Sequence, residues 1–131
     1  MLRRVALPAL LVLATACGGS TKGAGTVTVG GDRVTVARLV DAHAALCQAA
    51  ADPSSARRLF FDRAHEALHT VARGVEGVDR AQAAVLLQAK EKVESELDSG
   101  PPSLVGDLLA LADVYRSALG RLAITAPACV R

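Results

Sequence analysis

Leu104, Leu108, Leu111, Tyr115, Leu119 and Leu122 fall within one narrow arc when successive residues are turned through about 100°. That spacing predicts an amphipathic helix over about 104–122. The same period recurs three more times. Leu86, Ala89, Val93 and Leu97 place a helix over about 80–98, and Phe60, Ala64, Ala67, Val71 and Val75 place one over about 56–74. Val36, Val40, Cys47 and Ala50 place the first over about 36–51. Between them stand chain breakers: Asp52-Pro53, then Gly74 to Asp79, then Ser99-Gly100-Pro101-Pro102. Thr35, Ser54 or Ser55, and Ser103 stand where N-caps are wanted. Four amphipathic helices with short connections predict an all-α, four-helix up-down bundle.

Such a bundle has little bulk with which to fill its centre. The whole chain has two Phe, one Tyr and no Trp. Its core is therefore built from Ala, Leu and Val, which lets helices approach closely but buries modest area. At 131 residues this favours a covalent staple. Three cysteines are present, Cys17, Cys47 and Cys129. If Cys17 is otherwise engaged, Cys47 and Cys129 form an even pair and read as a disulfide. A bond between them closes a loop of about 80 residues and contributes roughly 4 kcal/mol in the chain-entropy model. A thiolate metal ligand or redox cysteine is the other use, although no C-x-x-C is present. Helix four of an up-down bundle ends near the start of helix one, whereas Cys47 lies near the end of helix one. The tail 123–128 must then run back along helix one, and at about 3.3 Å per residue it just reaches.

The N-terminal end is organised differently. Val27-Thr28-Val29, Gly30-Gly31-Asp32 and Arg33-Val34 alternate around a glycine turn and suggest a short hairpin over 27–34. Met1-Leu2-Arg3-Arg4 is basic, Val5 to Ala16 is apolar, and small residues follow, the pattern of a secretory signal peptide over 1–16. The apolar run is too short to span a bilayer, which takes about 20 residues. Leu13-Ala14-Thr15-Ala16-Cys17 resembles the lipobox of bacterial lipoproteins, with the usual leucine one position further out, at Leu13. The resemblance implies cleavage before Cys17 and a thioether-linked diacylglyceryl group, with acyl chains such as palmitate, on its sulfur. An ordinary secretory signal with a free Cys17 thiol is the alternative. Residues 17–26, rich in Gly and small polar residues, form a flexible tether, and 35–131 form the helical domain with its tail. The implied location is extracytoplasmic, in the cell envelope, at the membrane surface.

Processing also resets the charge. Loss of Arg3 and Arg4 takes Lys+Arg from 15 to 13, equal to the 13 Asp+Glu. No basic stripe remains to hold nucleic acid or anionic lipid. The implied partners are the membrane, through the lipid, and a protein of the envelope. The high Arg, Ala, Leu and Val content and the run Phe61-x-x-x-His65-x-x-Leu68-His69 are similar to small helical envelope lipoproteins of high-GC bacteria, a likeness that implies no activity.

The chain's three histidines, His43, His65 and His69, all fall on the first two helices. His65-Glu66-Ala67-Leu68-His69 spells H-E-x-x-H, the zinc-metalloprotease signature. On a helical wheel His65 and His69 share a strip with Asp62, beside Phe61, Leu68 and Ala72, and Glu66 turns toward solvent. His43 lies near the centre of the apolar arc of helix one. Counting about 1.5 Å per residue from Pro53 puts His43 and His65 within a turn of the same level. A pocket of His43, Asp62, His65 and His69 is expected from this, and imidazole with carboxylate suits zinc, iron or copper(II). Metalloproteases of this type add a third ligand. Glu91, Glu94 and Glu96 are the candidates, but their context differs from that family's, and a general base at Glu66 would face the wrong way. Three readings follow: a metal-binding envelope protein, an interaction module whose histidines only pack or border the core, and, most remotely, a metallohydrolase. The expected class is not an enzyme.

Overall fold

The computed structural model describes residues 25–131. The signal segment, Cys17 and the tether up to residue 24 lie outside the described residues. The chain enters through an antiparallel hairpin, β1 (Thr26–Val29) and β2 (Asp32–Thr35), in which Val27 faces Val34. Gly30 and Gly31 make the turn with φ of 56° and 87°, a conformation that costs glycine nothing. The hairpin is docked rather than free. Val29 is buried, and a Cβ on Gly30 would stand 2.7 Å from that of Arg73, while one on Gly74 would collide with Val29. Both glycines therefore permit a close approach that no larger residue would allow.

Thr35 ends the hairpin and N-caps α1 (Val36–Ala51), its hydroxyl accepting from the Arg38 N–H at 3.2 Å. Asp52-Pro53 stops α1. The expected serine caps of helix two do not form. Ser54 and Ser55 donate to the Asp52 carboxylate instead, folding Pro53–Ser55 into a 3-10 turn. The second rod of the bundle is composite: α2 (Ala56–Leu59), a π-helical turn (Phe60–Ala64) and α3 (His65–Glu76). Asp79 caps α4 (Arg80–Glu96) by accepting from the Gln82 N–H at 3.0 Å. Ser103 precedes α5 (Leu104–Arg121) without capping it; its hydroxyl is taken by Glu96.

Each rod packs on its neighbour in sequence, and α1 also packs on α5, which closes the ring of an up-down four-helix bundle. The stripes read from the sequence face its centre. Phe60, Val71, Val75, Leu86, Leu108, Leu111, Tyr115 and Leu119 are fully buried, and the alanines 42, 45, 49, 64, 112 and 118 let the backbones close in. The Tyr115 hydroxyl donates to the Leu39 carbonyl at 2.9 Å, so the single tyrosine both fills the core and satisfies its polar end.

After α5 the chain reverses. Ala123 N–H bonds to Gly120 C=O and Ile124 N–H to Leu119 C=O, the paired bonds of a Schellman ending. The position usually given to glycine is held by Ala123, at φ 59°. Ile124 and Ala126 are buried, the tail runs back along α1, and Cys129 bonds to Cys47 with Cα atoms 5.3 Å apart. The disulfide and the route it requires are thus as expected.

Candidate functional site

The three imidazoles go to two different interfaces. His43 is 1% exposed on α1 and turns toward α5, its ring parallel to that of Tyr115 at 6.5 Å. Its Nδ1 lies 3.8 Å from the Cys47 sulfur. Burial pushes its pKa down, with help from the Arg116 guanidinium; Asp113 and backbone hydrogen bonding at Ala112 push the other way. Burial thus disfavours the charged form of His43, which lies against the disulfide.

His65 and His69 face α4 instead. The His65 Nε2 sits 2.8 Å from one carboxylate oxygen of Glu94, and the other oxygen accepts from the Lys90 ammonium at 2.7 Å. His69 packs edge-on to His65 with ring centroids 4.8 Å apart. Burial lowers the His69 pKa, and the nearby positive charge of Lys90 lowers it further. A cleft of about 210 Å³ opens beside His69, lined by Arg73, Glu76 and Arg80 among others. Phe60 and Phe61 flank His65, and the Arg57 guanidinium lies over Phe61 at 5.1 Å.

The expected pocket of His43, Asp62, His65 and His69 is not assembled. His43 is committed to the α1–α5 interface and His65 to α3–α4. Asp62 is exposed, and the cause is local. It lies inside the π-helical turn, where each residue advances less than the 100° used to place it, so it leaves the strip shared by His65 and His69. Arg63, in the same turn, reaches across to Asp41 and to Gln48 at 2.9 Å, pinning α1 to the second rod. Glu66 is exposed, as the wheel indicates. Of the three glutamates on α4, Glu94 is the one that meets His65; Glu91 is exposed and Glu96 receives Ser103.

Two features escaped the sequence reading. Lys90 is 5% exposed, although lysine is among the residues least often buried. Its spacing held the clue, since it is four residues after Leu86 and three before Val93, on the buried stripe of α4. The second is an open apolar groove of about 890 Å³ between α1 and the returning tail, walled by Val36, Ala37, Val40, Ala44 and Pro127. Val36 and Val40 were on the predicted apolar face, but the tail covers that face only in part.

Chemically, the α3–α4 cluster offers two imidazoles and a carboxylate, with an ammonium that opposes a bound cation. The α1–α5 side offers something else. His43, Cys47 and Cys129 bring one potential ligand atom each within 4.8 Å of one another, and among the described residues no other trio of His, Cys, Asp or Glu does so. No described helix is long and apolar enough to cross a membrane. Set against family models, curated proteins and solved structures, the chain matches none.

Proposed function

We propose that this chain is an extracytoplasmic interaction module, tethered to the membrane by a lipid on Cys17, that offers the groove between α1 and its C-terminal tail to an apolar segment of an envelope protein. The groove is the observation that carries this reading. Its walls are mostly aliphatic, and it starts beside the point where the tether joins the domain, because the Gly25 carbonyl accepts from the Val36 N–H at 2.8 Å. Apolar concavities of this size are the usual form of a binding site. The disulfide supports an oxidising compartment. The module is a binder, not an enzyme.

The test is site-specific photocrosslinking in intact cells. A crosslinker at Ala37 should trap one defined membrane protein, and Val40→Asp should abolish the adduct. A crosslinker at Gln88, on the exposed side of α4, should trap nothing comparable. Cys17→Ser should release the protein from the membrane fraction or leave it uncleaved. Equal trapping from both positions would refute the groove, and unchanged retention of a processed Cys17→Ser form would refute the lipid.

A second reading places a zinc, iron or copper(II) ion at His65, His69 and Glu94. The contact between His65 and Glu94 favours it; the Lys90 ammonium weighs against it, and so does the spread of the three groups, which do not bring one ligand atom each within 4.8 Å of one another. On this reading His65→Ala and His69→Ala each lose metal while Glu66→Gln keeps it. Unchanged binding in both histidine variants would end it.

A further inference from the structure

His43 and Cys47 are four residues apart on one helix, so they share a face. That face is where Cys129 arrives. We propose that the disulfide masks a zinc site: when Cys47–Cys129 is reduced, the two thiolates and the His43 imidazole bind one Zn²⁺.

Three features of the site support this. The first is spacing. In a tetrahedral zinc site with Zn–S and Zn–N bonds of ordinary length, neighbouring ligand atoms are about 3.6–3.8 Å apart. The His43 Nδ1 is already 3.8 Å from the Cys47 sulfur. The two sulfurs need only separate to the same distance once their bond is cut. The second is that the arrangement does not rest on the disulfide alone. Cys47 and His43 are fixed by α1, and the tail is held by buried Ile124 and Ala126 and by the hydrogen bonds that reverse it after α5. Cys129 stays close after reduction. The third is the burial of the histidine. Its ring is 1% exposed and packed parallel to that of Tyr115, so it is held in place beside the Cys47 sulfur.

The chemistry balances with one added reagent. A dithiol reductant gives two electrons and two protons to the Cys47–Cys129 bond and is itself oxidised to a disulfide. Two thiols result on this chain. On binding Zn²⁺ they release their two protons to solvent, and His43 donates a lone pair without a proton change. Both cysteines are half-buried, so the reductant can reach the bond and water can take the fourth zinc position. From α5, Asp113 favours the cation and Arg116 opposes it.

The experiment uses the full-length protein in detergent with Cys17→Ser, which leaves two cysteines, and zinc alone as the probe. The chain is reduced anaerobically with a non-chelating phosphine. The reduced chain should bind one zinc per molecule and melt higher with zinc than without it; the oxidised chain should show neither effect. Cobalt(II) in place of zinc should give the sulfur-to-metal charge-transfer band of thiolate ligation. His43→Gln should weaken zinc binding at least about tenfold, the scale on which altered metal sites lose affinity. Because His43→Gln alters the core, Cys129→Ser is the second variant: it removes a ligand at a half-buried position and should abolish the cobalt band. Equal zinc affinity in oxidised and reduced chains, or in His43→Gln and parent, would overturn the proposal.

Discussion

The bundle has two polar seams, and they solve the same problem in opposite ways. On the α1–α5 side one histidine is buried beside a covalent bond, in surroundings that disfavour its charged form. On the α3–α4 side two histidines meet a glutamate and a lysine at a half-open surface, around the Lys90–Glu94 ion pair. The first seam gets its strength from chain connectivity, the second from partners that must all be present. Loss of one member should therefore matter differently in each.

The largest effect should come from cutting the disulfide. Cys129→Ser, or reduction without added metal, removes the constraint on a loop spanning 82 positions. The expected loss is about 4 kcal/mol, read as a fall in the denaturation midpoint in urea. A midpoint unmoved by reduction would mean that the alanine-rich core is sufficient alone, and the contrast between the seams would disappear.

The second seam should break next. Glu94→Ala leaves the Lys90 ammonium buried without its carboxylate, and should cost about 2 kcal/mol, less than a fully enclosed pair because Glu94 is partly exposed. Replacing both partners, Lys90→Met with Glu94→Leu, should recover most of that loss. If the double variant is as unstable as the single one, the seam is held by shape and not by charge.

Acid sharpens the comparison with a smaller effect. The folded-state pKa of His43 is below its ordinary value of 6.5, so the unfolded chain takes up the proton first. Stability is complete above about pH 6.5 and falls as the pH drops from there toward the folded-state value. His69 shifts in the same direction but is more exposed. His43→Gln should therefore flatten the pH dependence below pH 6.5 more than His69→Gln does. The reverse order in equilibrium denaturation would show that the wet seam, not the dry one, carries the acid sensitivity.

Much of this architecture was legible in the residues. The spacing of Leu104 to Leu119 marks a buried face whatever the tertiary context, and Pro53, Pro101 and Pro102 break helices for local steric reasons. The disulfide followed from cysteine number and tail length. What could not be read depends on more than residue type. The π-helical turn at Phe60–Ala64 is a change of hydrogen-bond partner that leaves no mark in composition, and it changes the angular step on which Asp62 was placed beside the two histidines. His43 was placed on the buried face correctly, but a wheel cannot say whether that face meets the second rod or α5. Lys90 was passed over because its charge outweighed its position on the stripe.

The docked hairpin has a mechanical consequence. A pull on the chain ahead of Gly25 acts on β1 at the end where it lies beside the start of α1, so its cross-strand bonds are loaded one after another and peel like a zip. The bundle behind it, cross-linked near one end of α1 and closed by the tail, resists as a unit. The first yield should be a small step at low force, releasing the eleven residues from Gly25 to Thr35, about 36 Å of chain at full extension. A force–extension trace that shows only one rupture, with no early step of that size, would count against it.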